Sequence, residues 1–426
     1  MAEIRPFRAL RYTERAGDLS RLCCPPYDVI SPEEQRALYE ESPYNVVRLE
    51  LGAGENRYAD ASALLSKWKE EGVLALDPEP AVYIYEEQFS LPGGERKVTR
   101  GFIARIMLTP FSAGVVLPHE ETLTKAKEDR FRLMEATGCS FSQTYSLYED
   151  EGDVVKDCLA DAASREPDCI FRMKDGVTHR LWAVTDGEVV GAIQKAMRNK
   201  RVYIADGHHR YETAVAYRDR LLAEGRLAGA DDPANFQMMA FVAMDDPGLV
   251  VLPTHRLIHG LPDFDGEALL ASVASAFSAR PVDGAEGIRR GLEQAGGKNV
   301  VGLYTETGAW LLTLTDPRAA EGAMGEKCAA YRSLDVAVLH RLILEPGLGI
   351  DKENMARQLN LSYTRDFDEA CRAVRRGEAQ GAFLLNATRV DQIRDVAAAG
   401  EKMPQKSTYF YPKLITGAVM NEFGIR

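Results

Sequence analysis

The sequence predicts a mixed α/β (α+β) protein in which short apolar strands alternate with amphipathic helices. The clearest case is residues 202–222, where an apolar strand runs through a short polar turn into a helix. The chain has 426 residues, more than a single domain usually holds, so two or more packed units are expected. Its 45% hydrophobic and 27% charged residues are typical of a globular protein with a substantial core.

In the first half of the chain, helical and strand patterns follow one another. Ser31 caps a helix that begins with proline, and a second helix over 58–71 ends at Gly72. Strands over 81–89 and 98–108 are joined by a Pro-Gly-Gly turn and form a hairpin. The later elements are a helix over 153–165, a strand over 178–185, a helix over 188–199, the strand over 202–205, and strands over 236–244 and 248–252.

The pattern changes after residue 260, where the segment 261–269 is rich in turn-forming residues. We therefore assign residues 1–260 to a first domain and residues 261–426 to a second, C-terminal α/β domain. The predicted elements of the second domain are helices over 265–278 and 286–295, a hairpin of 299–305 with 309–315, an apolar helix over 334–344, a strand over 379–385 and a helix over 388–399.

The net charge and the spacing of the cysteines argue against several classes of protein. The net charge is −12 and no long Lys/Arg stripe is present, so stable nucleic-acid binding is not expected. The chain has no run of about 18 apolar residues, and its N-terminus is too charged for a secretory signal. We expect no membrane association and a cytoplasmic location. The 7 cysteines form no C-x-x-C pair, which argues against a disulfide framework and a zinc ribbon.

The turn Asp206-Gly207-His208-His209-Arg210, between strand and helix, is the leading candidate site. Gly207 lets the chain turn, and the first amide groups of the new helix favour a bound phosphate. Asp206 can hold a metal ion, the two histidines can move protons or orient oxygens, and Arg210 can bind a phosphate through two hydrogen bonds. A purely structural role is the alternative, although so many buried polar groups would each need a partner.

A second candidate site lies at His119 and Glu120, directly after an apolar run. The pattern is not the H-E-x-x-H motif of zinc proteases, because Leu123 stands where the second histidine is needed. Glu120 could act as general base toward a hydroxyl if the fold carries it to the Asp206 turn. A capped, solvated helix start is the alternative interpretation.

Three further motifs combine polar groups with prolines or aromatic residues. Residues 24–28, Cys-Pro-Pro-Tyr-Asp, form a rigid turn that is either a pocket wall or a tight corner. His255 and Arg256 follow a strand and suit an anion. Residues 403–413 mix lysines, hydroxyls and aromatics, and form either a nucleotide-contacting loop with Lys406 or a docking segment.

Several common enzyme classes lack their motifs in this sequence. There is no G-x-x-x-x-G-K-[ST] loop, no G-x-S-x-G turn and no convincing G-x-G-x-x-G, since residues 51–54 lack the third glycine. The usual ATPase, hydrolase and dehydrogenase folds therefore have no support. Asp335 and His340 lie five positions apart on one helix and do not face each other, so we interpret them as core residues.

Taken together, five of these motifs resemble the prokaryotic family called domain of unknown function 1015, in the expected order and over nearly the whole chain. They are CPPYDVI at 24–30, LPHE at 117–120, ADGHHRYE at 205–212, LPTHR at 252–256 and KSTYFYPK at 406–413. The Asp-Gly-His-His-Arg segment is similar to that of the free serine kinases of the ParB-like superfamily. This resemblance implies a ParB/serine-kinase-like catalytic core with additional N-terminal and C-terminal α/β segments.

The resemblance also implies roles for individual residues. In the serine kinases a glutamate upstream of the turn is the general base toward the serine hydroxyl, and the turn binds nucleotide phosphates and magnesium. Carried over, Glu120 is the base, Asp206 contacts magnesium or the hydroxyl, and His208 and His209 stabilise the transferred phosphoryl group. The expected contacts to the cofactors, ADP or ATP with Mg²⁺, are Gly207, Arg210, His119, His255, Arg256 and Lys406.

The leading hypothesis is therefore a magnesium-dependent kinase that uses a nucleotide to phosphorylate a hydroxyl of serine or a related metabolite. One alternative is a ParB-like regulatory or binding protein that hydrolyses nucleotide. Another is a metal-dependent hydrolase with Asp206, Glu120 and the two adjacent histidines as ligands. Neighbouring side chains on a helix point about 100° apart, so His208 and His209 have poor geometry for one metal ion.

Overall fold

The computed structural model describes residues 1–122, 124–296 and 299–424. The chain divides into two compact units, each with its own β-sheet. The first comprises Met1–Pro118, Thr122–Val250 and Pro412–Arg426, and the second comprises His119–Glu121 and Val251–Tyr411. The predicted mixed α+β class is confirmed. The assignment of residues 1–260 and 261–426 to two domains stays a prediction.

Among the described residues, nine strands form the main sheet of the first unit. Ile4–Arg5 pairs with the long strand Arg96–Met107, and the other strands follow in one path. Most neighbours are antiparallel; Val202–Asp206 runs parallel to Val116–Leu117, and Thr144–Tyr148 runs parallel to Phe236–Ala243. The order across the sheet is Val116–Leu117, Val202–Asp206, Thr144–Tyr148, Phe236–Ala243, Arg96–Met107, Val82–Ser90, Thr178–Val184 and Cys169–Arg172.

Helices and short strand pairs complete the first unit. The predicted capping box at Ser31 is present and begins a helix with proline at its first position. Short strand pairs are Leu10–Tyr12 with Leu74–Leu76 and Cys139–Ser140 with Asn421–Glu422. The α-helices are Pro32–Glu41, Val47–Glu50, Arg57–Glu70, Thr124–Thr137, Val154–Ala162, Gly187–Met197 and His208–Ala223.

The core of the first unit lies against the main sheet. Phe102 and Phe241, on neighbouring strands, are fully buried and stack with their ring centroids 4.8 Å apart. Burying each such ring stabilises the fold by roughly 1.5–3 kcal/mol. Val190 and Ile193 of the helix Gly187–Met197 belong to the same buried cluster as Ile204, the strand residue that precedes the candidate turn. The strand that carries Asp206 is therefore anchored by core packing.

The second unit has an antiparallel sheet of six strands among the residues described. Their order is Phe277–Pro281, Ala309–Leu314, Val300–Thr305, Gly381–Leu384, His255–Ile258 and Leu361–Thr364. The helices are Gly266–Val273, Gly284–Ala295, Pro317–Ala323, Ala329–Arg332, Asp335–Leu339, the π-helical turn His340–Leu344, Glu345–Leu348, Lys352–Arg357, Phe367–Arg375 and Val390–Ala398. Short strands at Val250–Val251 and Phe410–Tyr411 lie where the chain passes from one unit to the other.

The structure differs from the predicted elements in several places, and two of these differences are informative. The helix predicted over 265–278 ends at Val273. Phe277 instead begins an edge strand, where it pairs with Leu314 and its side chain is buried. The strand Thr144–Tyr148 was not predicted: its five residues are all buried, but Thr144 and Ser146 are polar, so it lacks the continuous apolar run typical of a strand buried on both faces. Within the described residues, every helix is too short or too polar to cross a lipid bilayer.

Candidate active site

The candidate site of the first unit begins at a strand-to-helix turn. The strand Val202–Asp206 shifts register against its neighbour just before Asp206, an irregularity that changes the direction of the last side chain. Gly207 follows with φ of 88°, a conformation that side chains other than glycine rarely adopt. A Cβ at this position would lie 2.7 Å from Arg210 Nε, so a larger residue would displace the Arg210 guanidinium from its present place. The predicted strand-to-helix junction is present, but it is tighter than the predicted turn over 206–210, since Asp206 ends the strand and the helix begins at His208.

Two cations bind the Asp206 carboxylate. Arg210 donates to Asp206 Oδ2 over 2.8 Å, and the Lys413 ammonium bonds to Oδ1. Arg210 also donates to the backbone oxygen of Gln143, while its Nε is buried without a hydrogen-bond partner among the described residues. The turn thus places an acid, a guanidinium and an ammonium at the start of the helix His208–Ala223.

Lys413 reaches this turn because the C-terminal segment pairs with earlier parts of the first unit. Thr416 and Cys24 exchange two backbone hydrogen bonds, of 3.3 and 2.8 Å. Gln143 donates to the backbone oxygen of Ile415 over 3.1 Å. The first and last motifs of the chain therefore meet beside the central turn.

The N-terminal motif contributes Tyr27 to this neighbourhood. Its ring lies beneath the Arg130 guanidinium, with 4.0 Å between the guanidinium carbon and the ring centroid. Burial raises the pKa of Tyr27 to about 12, and the nearby charges of Arg130 and Arg210 act in the opposite direction. The phenol is thus a neutral hydrogen-bonding group that faces two cations.

A buried ion-pair network supports this side of the site. Arg130 lies 3.2 Å from Glu50 Oε1, with side-chain exposures of only 7% and 4%. It also bonds to Asp129, which in turn accepts hydrogen bonds from Arg57 over 2.7 Å and Tyr58 over 2.8 Å. A buried guanidinium is stable only when its donors are paired, and this network pairs them.

The two histidines of the turn have different surroundings. His208 is buried, with only 3% of its surface exposed. Burial lowers the pKa of His209, and Lys127 and Arg210 act in the same direction, whereas Glu212 and Asp28 raise it. His209 is therefore predominantly neutral at pH 7, and its ring can accept or donate one proton in hydrogen bonds to a ligand.

Glu212, one helical turn after His208, forms a further polar group at the same face. Its carboxylate accepts hydrogen bonds from Thr122 over 2.6 Å and from Lys127 over 2.8 Å. Glu212 and Lys127 line a cleft of about 740 Å³ whose walls include Phe111 and Phe131. This cleft adjoins the helix that the turn begins, and it has room for a metabolite-sized molecule.

The remaining motifs are brought together within the second unit. His119 Nε2 lies 3.0 Å from the Thr408 hydroxyl, and the His119 backbone oxygen accepts a hydrogen bond from Met403 N over 2.7 Å. Arg256 donates to the backbone oxygen of Lys406 over 3.0 Å. The structure thus joins the motifs at 117–120, 252–256 and 406–413, although they are far apart in sequence.

His255 is expected to make the stability of the second unit depend on pH. Its Nδ1 accepts a hydrogen bond from Leu385 N over 3.2 Å, so the ring is held in its neutral form. Burial, with a smaller effect of the Arg256 charge, lowers the pKa of His255 to about 4. Since the unfolded chain takes up this proton near pH 6.5, stability is expected to fall by roughly 3 kcal/mol as the pH falls from 6.5 to 4.

Urea unfolding of the wild type and of His255→Asn at several pH values tests this expectation. The asparagine cannot be protonated, so the variant should lose that share of the pH dependence between pH 6.5 and 4. His259→Asn, one residue beyond the same strand, is the matched control and should keep it. An unchanged slope in His255→Asn would show that other groups cause the acid sensitivity.

The predicted site residues fall into two groups. Asp206, Gly207, His208, His209 and Arg210 lie together in the first unit. The other predicted site residues lie in the second unit; they are His119, Glu120, His255, Arg256 and Lys406. Glu120 is half-buried on a bend, and its action on the Asp206 turn stays a prediction.

Sequence reasoning did not select three residues that the structure places around the turn. They are Lys413, Tyr27 and Arg130. Lys413 and Tyr27 lie in motifs that the sequence did single out. The sequence did not show that these two residues lie near the Asp206 turn. Arg130 follows the second motif on a helix and resembles an ordinary surface cation in the sequence. Only its 6% exposure distinguishes it.

The residues of the turn are suited to a nucleotide phosphate and a single magnesium contact. Arg210 and Lys413 supply positive charge, and Arg210 Nε is a buried donor without a partner in the described part of the chain. Magnesium in nucleotide sites commonly takes one or two carboxylates and completes its shell with phosphate oxygens and water. Asp206 can be such a ligand. The described residues contain no group of three or more His, Cys, Asp or Glu arranged for a metal ion.

Comparison with known proteins gives one family match and several distant structural similarities. The model of the family described as protein of unknown function, DUF1015, matches residues 4–337. No curated protein sequence matches the chain.

Three solved structures illustrate the structural similarity. A conserved hypothetical protein from Pyrococcus furiosus is 14% identical, with 70% of this chain and 87% of that chain covered and a TM-score of 0.32. A free serine kinase in complex with AMP is 13% identical, with coverages of 73% and 89% and a TM-score of 0.36. SbnI with a C-terminal truncation, from Staphylococcus aureus, is 9% identical, with coverages of 74% and 86% and a TM-score of 0.35.

Proposed function

The chain belongs to the DUF1015 family of proteins of unknown function, and we propose that it is a nucleotide- and magnesium-dependent small-molecule kinase. The acceptor is a hydroxyl, with serine and related hydroxy metabolites as the first candidates. One observation carries the proposal: the Asp206 carboxylate is held between Arg210 and Lys413 at a helix N-terminus whose cap residue is glycine. Such a site combines a metal ligand, two phosphate-binding cations and backbone amides.

In this proposal the residues of the turn bind and orient the nucleotide. Arg210 and Lys413 exchange part of their contact with Asp206 for contact with phosphate oxygens, and the first amides of the helix bind the same group. Asp206 holds magnesium, which when bound neutralises charge on the phosphates. His208 and His209 donate hydrogen bonds to the oxygens of the group being transferred.

The transfer itself balances without a further reactant. The acceptor hydroxyl oxygen attacks the terminal phosphorus of ADP or ATP, and an O–P bond forms. The bond from that phosphorus to the bridging oxygen breaks, so AMP or ADP leaves. The hydroxyl proton passes to Glu120, which is the proposed general base.

Replacing the base gives a direct test of that role. Glu120→Gln is expected to lower the rate of phosphoryl transfer about 100-fold, because an amide cannot take up the hydroxyl proton. Nucleotide affinity, measured by calorimetry, should change little. Glu353→Gln, an exposed glutamate of the second unit, is the matched control. If Glu120→Gln kept the full rate, Glu120 would not be the base.

The function is tested by incubating the wild type with ADP or ATP, magnesium and a panel of hydroxy amino acids and hydroxy acids. Phosphorylated product is followed by phosphorus NMR or mass spectrometry. We expect transfer to at least one acceptor, with one nucleoside monophosphate or diphosphate released for each product. Nucleotide hydrolysis without any transfer would instead support the ParB-like regulatory function, and nucleotide binding with no turnover would refute the kinase proposal.

The proposed location is the cytoplasm, where nucleotides and magnesium are available. All 7 cysteines are free thiols in the structure, and Cys23, Cys24, Cys139 and Cys371 are buried. Unpaired thiols are typical of proteins in reducing compartments.

A further inference from the structure

The second unit contains a cavity that the proposed kinase function does not use. Its volume is about 230 Å³, which is below the range of roughly 300–1,000 Å³ for drug-sized ligands and is suited to a smaller metabolite. The residues that line it include both apolar and hydrogen-bonding groups, among them Met324, Met355, Met403, Tyr331, Tyr363 and His340. All of these belong to the second unit.

His340 is the most unusual residue of this wall. It begins a π-helical turn, His340–Leu344, in a helix that is otherwise regular, and such turns occur frequently at functional sites. The residue is only 5% exposed, and its Nε2 is buried with no hydrogen-bond partner among the described residues. Burial, with a contribution from the Arg256 charge, lowers the pKa of His340 well below its usual range. His340 is therefore a neutral imidazole in the wall of the cavity, and one of its nitrogens has no protein partner in the described part of the chain.

Arg256 places a positive charge next to the same wall. Its side chain is fully buried, and it forms an ion pair with no carboxylate in the described part of the chain. It donates to the backbone oxygens of Thr254 and Lys406, while its Nε has no partner. The guanidinium lies 5.6 Å from the ring centroid of Tyr363, which lines the cavity. A buried cation is normally balanced by a negative charge, and the described residues form no ion pair with this one.

The charges on the rim of the cavity are mostly paired. Lys352 pairs with Glu121 at 3.1 Å, and Arg341 pairs with Glu345 at 2.7 Å. Lys402 also lines the cavity and pairs with no carboxylate among the described residues. Lys327 pairs with Glu401 at 3.3 Å, and the exposed Glu326 also lines the cavity. The rim charges therefore cancel in number, and the unbalanced charge near the cavity is that of the buried Arg256.

We propose that this cavity is a binding site for a small organic anion, separate from the nucleotide site. The carboxylate or phosphate of the ligand bonds to His340 and Lys402, and the charge of Arg256, behind Tyr363, balances it electrostatically. The methionine side chains contact the carbon skeleton, which suits ligands of varied shape. The site does not depend on the kinase function, and its ligand can act on the enzyme or simply be carried.

Calorimetric titration of the full-length protein with inorganic phosphate and with succinate tests the proposal, with sodium chloride of equal ionic strength as the reference. The two probes distinguish a phosphate ligand from a carboxylate ligand. We expect at least one to bind, and His340→Gln and Lys402→Ala each to weaken that binding about tenfold, the effect of losing one charge-assisted hydrogen bond. His259→Gln, outside the cavity, should bind as the wild type does.

Hydrogen exchange separates this site from the Asp206 turn, which can also take phosphate. The expected result is that the bound probe slows amide exchange in 338–345 and 402–406, and that His340→Gln abolishes this effect. The proposal is overturned if neither probe binds more than chloride does. It is equally overturned if both cavity variants bind with wild-type affinity, or if protection is confined to the first unit.

Discussion

Asp206→Asn is expected to lower the rate of phosphoryl transfer about 1,000-fold, the largest catalytic effect of any single change in the turn. An asparagine oxygen can still accept the hydrogen bond from Arg210, so the turn should keep its shape. The neutral amide binds magnesium more weakly than a carboxylate does, and it cannot form the ion pair with Lys413. The rate is measured with whichever acceptor the wild type phosphorylates.

Measurements of nucleotide binding should distinguish the two roles of Asp206, which are to hold magnesium and to pair with Arg210 and Lys413. In the variant, Lys413 and Arg210 no longer share a carboxylate, so magnesium-free ADP should bind as well as, or more tightly than, it does to the wild type. Asp219→Asn, an exposed acid on the same helix with 57% of its side chain accessible, is the control and should keep both properties. A full rate of transfer in Asp206→Asn would remove this turn from the active site.

Arg130→Met is expected to lower the free energy of unfolding by about 3–5 kcal/mol, the cost of leaving a buried carboxylate without its partner. Glu50, with 4% of its side chain exposed, would lose the guanidinium 3.2 Å away. The ring of Tyr27 would lose its cation at the same time. Urea unfolding followed by circular dichroism gives the difference.

A double variant distinguishes the loss of charge balance from the loss of packing. In Glu50→Gln with Arg130→Met no charge of the pair remains, so most of the lost stability should return. Arg132→Met removes an exposed arginine two positions away, with 57% of its side chain accessible, and should change stability by less than about 0.5 kcal/mol. Equal destabilisation in the single and double variants would contradict the ion-pair explanation.

The strand–turn–helix unit over 202–222 could be predicted because its signals are local. Four apolar residues precede Asp206, Gly207 takes the left-handed conformation, and apolar residues recur at helical spacing after it. The strand Thr144–Tyr148, which lies next to it in the sheet, was missed because its polar residues Thr144 and Ser146 interrupt the apolar run expected of a strand buried on both faces, and their hydrogen-bond partners are distant in sequence. The π-helical turn at His340 was likewise not predicted, because the apolar pattern of this segment is as compatible with a regular α-helix as with a π-helical turn.

The partners of the turn could not be predicted in the same way. Lys413 lies 207 positions from Asp206 in the chain, and the pairing of Thr416 with Cys24 is one of the contacts that hold its segment in the first unit. In the sequence, Lys406 and Lys413 are equivalent lysines of one motif. In the structure, Lys413 bonds to Asp206, while Lys406 offers its backbone oxygen to Arg256.

By itself, the sequence determined the family, the mixed α+β class and the central turn, because motif order, hydrophobic periodicity and glycine geometry act over a few residues. Only the tertiary structure decided which distant charges meet. It assigned Lys413, Tyr27 and Arg130 to the Asp206 turn, and it placed His340 in the wall of a separate cavity, with Arg256 beside Tyr363 of that wall. The physical reason is that charge balance and burial depend on distances in space, which strand pairing sets and local sequence does not.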